Sequence, residues 1–375
     1  MKATGVSFLD LTRQHAVLKE DLERAVAGVL GSQKFILGPE VELLEKEIAL
    51  ACHVPHGVGV ASGTDALMLA LQALGVGPGD DVITSPFSFF ASASAVARLG
   101  ARPRFADIDA GTFNLDPAAI ARSAGSRIRA LVPVHLFGQC AEVESLKSAA
   151  EAAAGRNLAV VEDAAQAIGA RRRGTPAGAL GDAGCFSFYP TKNLGGAGDG
   201  GMIVTASDEV ASRARRLRAH GDAGRYDHRE LGMNSRLDSL QAAILRVKLK
   251  RLESWNEARR ERAAAYDELL GGVAELKLPV TLSGNVHTFH QYVIRTKRRD
   301  ELARHLSARG IGTAVYYPIP LHLQACFAYL GHKPGDYPAA EAACREVLAL
   351  PLYPELTPSE QALVGQEIVK FFRGA

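Results

Sequence analysis

Seven short strand-length segments, at 57–61, 81–84, 102–105, 130–134, 159–162, 184–188 and 202–205, alternate with longer segments over the first 205 residues. Their lengths and bounding turns read as buried strands, while 17–30, 39–51 and 64–74 repeat apolar residues at helical spacing. A chain that alternates in this way is expected to fold as α/β, with a mainly parallel central sheet covered on both faces. Such a sheet holds ligands beyond the carboxyl ends of its strands. The residues that follow each run are therefore where chemistry is sought.

The segment CFSFYPTKNLGGAGDGG at 185–201 sets a lysine in such a place. Lys192 comes after the run that contains Ser187 and before Gly195, Gly196, Gly198, Gly200 and Gly201, which let backbone approach a ligand closely. A solvated surface lysine has little reason to stand there, and an imine-forming nucleophile has one. VVEDAAQA at 160–167 places Asp163 just after another strand, and SGTDAL at 62–67 opens a helix with a small, hydroxyl-rich turn whose amides suit a phosphate. Singly, a helix cap, a solvated cation and a common turn would account for each. In the order phosphate turn, acidic strand end, lysine loop, they match pyridoxal 5'-phosphate (PLP): an amine joins its carbonyl and a carboxylate keeps its ring nitrogen protonated.

At 375 residues the chain suits a large plus a small domain, and a net charge of +2 gives no argument for nucleic acid or a membrane surface. No apolar run reaches a membrane span and the first residues lack a signal-peptide core, so the expected location is the cytoplasm. The five cysteines are widely spaced without a C-x-x-C pair, and read as free, mostly buried thiols. His53 and His56 belong to a loop rather than a metal site, and Arg171 to Arg173 read as a solvated turn.

From Arg236 to about Leu270 the pattern reads as one long helix connecting two domains, 1–250 as the large PLP-binding domain and 251–375 as a small C-terminal α+β domain. Within the second, 291–296 reads as a strand and 300–309 as a helix. A single continuous domain with an exposed helix remains the alternative.

These motifs, with FLDLTRQ, FILGPEVELLE, GPGDDVIT, VHLFGQCAEVESL, NSRLDSLQAAILRVKL and LPLYPELT, give the chain a resemblance over nearly its whole length. It resembles the DegT/DnrJ/EryC1/StrS sugar aminotransferases, which are PLP enzymes of fold-type I, the aspartate aminotransferase-like class. Within that family, SFYPTKNLG and YPIPLHLQ look most like the ketohexose 3-aminotransferases. The resemblance implies that L-glutamate converts the cofactor to its pyridoxamine phosphate form, which then aminates a nucleotide-linked keto-deoxysugar such as a dTDP-3-keto-6-deoxyhexose. A 4-keto or UDP-linked 3-keto substrate is the nearest alternative. A PLP-dependent sugar dehydratase is disfavoured because dehydratases resembling this family carry histidine where Lys192 stands, and a non-catalytic regulator because the lysine, aspartate and phosphate turn are intact.

The same resemblance assigns roles. Lys192 joins the cofactor and moves protons; Asp163 partners the ring nitrogen and Gln166 the phenolic oxygen. Phe89 stacks on the ring, with Phe87 and Phe90 as rivals. Gly63, Thr64 and Ser187 bind the phosphate, and Asn234 reaches it across the interface of a homodimer with shared active sites. Tyr317, Arg225 and His220 are the substrate-binding candidates. Tyr316 departs from the family's pattern, which more often has histidine before the tyrosine.

Overall fold

The structure, a computed structural model, describes residues 5–374 apart from 124 and 126. Seven strands form its main sheet: β1 (His56–Val60), β2 (Asp81–Thr84), β3 (Arg102–Phe105), β4 (Ile128–Val132), β5 (Ala159–Asp163), β6 (Ala183–Ser187) and β7 (Gly201–Thr205). They lie in the order β1-β7-β6-β5-β4-β2-β3. Only β7 runs against its neighbours; the four remaining pairings are parallel. Consequently β1, β2, β4, β5 and β6 all end at one edge, where β7 begins.

Alternate residues of these strands enter two apolar layers. Val58, Val60, Cys185 and Ile203 pack with Leu67, Leu69 and Leu217 on one face, whereas Phe186, Met202 and Val204 pack with Leu44, Ile48 and Leu245 on the other. This period of two buries both faces of the sheet, as the alternating pattern requires.

Helix α1 (Leu11–Ser32) is longer than 17–30 because Asp10 caps it, accepting from the Thr12 amide at 3.0 Å, and Gln33 ends it in the left-handed region. Helix α2 is Pro39–Ala51, and α3 is Gly63–Ala73, capped by Ser62 Oγ accepting from the Asp65 amide at 3.1 Å. A further helix, α4 (Ala91–Arg98), follows the SPFSFF segment.

The long helix expected from Arg236 is two helices, Ser239–Leu249 and Leu252–Leu270. The break falls at Lys250 and Arg251 (φ −105°, ψ −7° at the latter), which end the first helix and begin the second. The first packs on α1 and α2, the second on the helix Pro358–Arg373. Downstream, β8 (Tyr292–Arg295) pairs antiparallel with β9 (Val347–Leu350). Tyr266, Leu270, Tyr292, Ile294, Leu302, Leu350 and Ile368 form the core there, and Val6 joins it through a parallel bridge to Ile311.

Arg171–Arg172 and Thr175–Pro176 make a small hairpin, so the turn is present, but Arg172 is not solvated. It is 2% exposed and donates to Glu142 and Glu144, each at 3.0 Å, because the hairpin folds it beneath the Val143–Ala154 helix start. Four cysteines are buried and free, and Cys326 is exposed. Among the described residues no cluster suited to a metal is present, and no helix is long and apolar enough to cross a membrane.

Candidate active site

A cavity of about 680 Å³ opens at the edge where the parallel strands end. Its wall takes Gly63 and Thr64 from the start of α3, Ser88 and Phe89 from the segment after β2, Asp163 and Gln166 from β5 and its exit, and Ser187 from the end of β6. Lys192 enters from the following loop, and His290, Gln291, Tyr316 and Tyr317 close the opposite side. Strand direction brings together the positions from α3, the segment after β2, β5 and β6.

Glycine is required where two of these elements touch. A Cβ on Gly63 would lie 2.7 Å from Ser187 Cβ, and one on Gly201 2.4 Å from the Ser62 carbonyl oxygen. The turn before α3 is thereby pressed against β6 and β7. As first-turn residues, Gly63 and Thr64 have amides without intrahelical acceptors, at the positive end of an eleven-residue helix. Ser187 Oγ stands opposite, accepting from the Tyr189 amide at 3.3 Å with its proton free for another acceptor.

Asp163 is 5% exposed. Its Oδ2 accepts from Ser92 Oγ at 2.6 Å and its Oδ1 from the Ala165 amide at 3.3 Å. Behind it, Glu162 and His135 are fully buried. The Ala141 amide donates to His135 Nδ1 at 3.0 Å, so Nε2 carries the proton that goes to Glu162 Oε2 at 2.7 Å. Glu162 also accepts from the Gly178, Leu180 and Gly181 amides, which anchors the hairpin loop beside β5.

Lys192 is the lysine that lines this cavity. Its backbone amide donates to the Tyr189 carbonyl at 2.9 Å, and burial pushes its ammonium down to about 8, with Asp163 opposing that fall. Near neutral pH part of the population is an uncharged nucleophile. Gln166 Nε2 donates to the Tyr317 hydroxyl at 3.0 Å, and its Oε1 accepts from the Phe137 amide at 2.7 Å. Burial raises the Tyr317 hydroxyl well above its ordinary range, so it stays protonated and can donate onward.

The three phenylalanines separate by position. Phe89 is 56% exposed and lines the cavity beside Tyr317, with ring centroids 6.3 Å apart. Phe87 is 1% exposed in the core with Phe113 and Phe137, and Phe90 packs on Phe327. Asn234, His220 and Arg225 lie outside this chain's own cavity. All three are exposed on the segment between Leu217 and Leu237, where Tyr226 and Leu231 are 92% and 93% exposed.

Ser88, Ser92, Asp199, Tyr189, His290 and Gln291 were not foreseen. Asp199 stands within the GDGG run and could have been suspected from it. His290 and Gln291 precede β8 with no local signal, since only the tertiary fold turns them toward the lysine loop.

The model of the DegT/DnrJ/EryC1/StrS aminotransferase family matches residues 16–369. This chain belongs to that family. It is 49% identical over 371 residues to a Geobacillus stearothermophilus protein named a pleiotropic regulatory protein, covering 98% of this chain and 99% of that one. It is 45% identical to the dTDP-3-amino-3,4,6-trideoxy-alpha-D-glucose transaminase of Streptomyces venezuelae (94% and 92% covered). It is 43% identical to a UDP-N-acetyl-3-dehydro-alpha-D-glucosamine 3-aminotransferase of Acidithiobacillus ferrooxidans (99% of each chain). The crystal structure of S. venezuelae DesV in complex with a ketimine intermediate superposes with a TM-score of 0.96 at 44% identity, covering 99% of both chains. The fold is therefore that of the family's aminotransferases.

Proposed function

We propose that this member of the family is a PLP-dependent transaminase that moves an amino group from L-glutamate to carbon 3 of a nucleotide-linked keto-deoxysugar, in the first instance a dTDP-3-keto-6-deoxyhexose. The observation that carries the reading is the convergence of Lys192, Asp163 and the first turn of α3 on one cavity. That donor set fits the cofactor. The Gly63 and Thr64 amides and Ser187 Oγ would take the phosphate, the Asp163 carboxylate would hold the ring nitrogen's proton, and Lys192 would bind through its amine. Bound there, PLP supplies an electron sink for the pair released when a carbon–hydrogen bond next to nitrogen breaks.

The chain's own residues supply the rest. With the cofactor bound, Nζ of Lys192 would be the group that moves the proton between neighbouring carbons; its lowered pKa of about 8 suits both directions near neutral pH. Phe89, which lines the cavity, would cover one face of the cofactor ring and exclude water there. Gln166 and Tyr317 offer a fixed pair of polar groups across from Asp163. Binding energy from the nucleotide, remote from the reacting carbon, orients the ketone toward Nζ.

The reading takes 1–250 as the PLP-binding domain and 251–375 as the small domain that closes the site with His290, Tyr316 and Tyr317. It places the enzyme in the cytoplasm, in keeping with its unpaired cysteines. It also makes the functional unit a homodimer, with Asn234, His220 and Arg225 completing the neighbouring site. Their exposure beside Tyr226 and Leu231 supports this.

The nucleotide and the keto position are tested together by supplying glutamate and a panel of dTDP- and UDP-linked 3-keto and 4-keto sugars, with mass detection of the amine. Conversion of the dTDP-3-keto sugar above the others is expected. Conversion of 4-keto sugars alone would overturn the carbon-3 assignment.

A further inference from the structure

The loop that carries Lys192 has glycine at 195, 196, 198, 200 and 201. Backbone of that composition has few side chains to pack and much conformational freedom to lose, so a fixed path needs its peptide groups tied from outside. Its ends are tied to the sheet: the Phe188 amide donates to the Gly200 carbonyl and the Gly196 amide to the Phe188 carbonyl, each at 2.8 Å. Asn193, next to the lysine, is buried and donates to Asn256 Oδ1 at 2.8 Å and to the Thr288 carbonyl at 3.1 Å.

The middle of the loop is held by one helix, Ser239–Leu249. Gln241 Oε1 accepts from the Ala197 amide at 2.8 Å, and half-buried Lys248 donates from Nζ to the Gly195 carbonyl at 2.8 Å. The two side chains stand about two turns apart and so share a face. Glycine admits the first of them, since a Cβ on Gly196 would lie 2.7 Å from Gln241 Oε1 and one on Gly198 2.9 Å from its Nε2. The second has no carboxylate in ion-pair contact among the described residues; the loop carbonyl is its partner, through a charge-assisted bond. The helix is braced from behind, where Arg246 pairs with Glu40 and Glu47 of α2, each at 2.7 Å. Neither Gln241 nor Lys248 lines the cavity.

We propose that Lys248, together with Gln241, is a positioning residue for Lys192: one donor and one acceptor on a braced helix clamp the glycine-rich loop and so fix where Lys192 enters the cavity. The proposal rests on the reading of Lys192 as the cofactor lysine. With the clamp cut, the loop keeps its ends and Asn193 but regains freedom between Leu194 and Gly198. Lys192 then has to be ordered each time it joins the cofactor or returns to it, which weakens both steps.

Hydrogen exchange of the full chain without cofactor, followed by mass spectrometry, tests the clamp. Lys248→Met keeps an apolar stem and removes the donor; the peptide spanning 190–200 should exchange about tenfold faster in it, with β6 and β7 at native rates. Lys248→Arg, which keeps a charged donor, should stay within about threefold of native. Gln241→Ala cuts the other tie without disturbing the lysine stem and should speed the same peptide. In absorbance titrations with PLP, affinity should fall about tenfold in Lys248→Met. With substrates, kcat should fall about as far while KM for the sugar is unchanged. Native exchange of the loop in both Lys248→Met and Gln241→Ala, or faster exchange with native PLP affinity, overturns the proposal. If the native protein forms no Lys192-dependent adduct with PLP, it is the underlying cofactor reading that fails; if it forms one and Lys248→Met matches its affinity, the clamp alone is at fault.

Discussion

Ser92 Oγ donates to Asp163 Oδ2 at 2.6 Å, and Ser88 Oγ stands 2.8 Å from Ser92 Oγ. Because a carboxylate only accepts, the Ser92 proton goes to Asp163 and the Ser88 proton to Ser92. This buried pair of hydroxyls fixes one oxygen of the carboxylate that faces the cavity.

Ser92→Ala should therefore weaken PLP binding more than it weakens the fold. A hydrogen bond to a charged group contributes about 1.5–3 kcal/mol, so a loss of about tenfold or more in cofactor affinity is expected. Absorbance titration with PLP reads it, and unaltered affinity would show that the hydroxyl does not orient Asp163.

Phe87 and Phe89 should separate stability from binding. Phe87→Ala empties a core position that is 1% exposed and should cost about 3–5 kcal/mol in denaturant unfolding. Phe89→Ala, at 56% exposure, should shift unfolding by less than about 1 kcal/mol yet lower affinity for PLP.

The depressed Lys192 pKa carries a stability cost with a definite pH window. The folded value of about 8 lies below the ordinary 10.5, so the unfolded chain binds the proton more tightly. The penalty is fully present below about 8 and is relieved as pH rises from there toward 10.5. Lys192→Met without cofactor should thus be more stable than the native chain at pH 7, by about 1–3 kcal/mol. The advantage should shrink by pH 10, as melting at the two pH values would register.

The proposed sharing of active sites across a homodimer predicts complementation. Lys192→Ala and Asn234→Ala should each be impaired alone, but a mixed dimer has one site with both native residues. Co-expression should return activity to about a quarter of the native level. No recovery would argue that Asn234 acts within its own chain or not at all.

Much of this arrangement was legible in the chain. Short strand-length runs bounded by turns mark the sheet, and Gly63, Asp163, Ser187 and Lys192 each follow or end such a run. What could not be read depends on direction in space. The break at Arg251 falls inside an unbroken helical pattern, and Arg172 sits in a basic run that only its pairing with Glu142 and Glu144 distinguishes. His290 and Ser92 carry no local signal, because their partners lie 97 and 71 positions away.

The central claim is that Lys192 and Asp163 form a working PLP site, and the visible absorption spectrum with PLP tests it most directly. The native chain should develop a band above that of free cofactor which fades on adding L-glutamate, while Lys192→Ala should form no lysine-dependent band. Identical spectra for the two proteins would contradict the account.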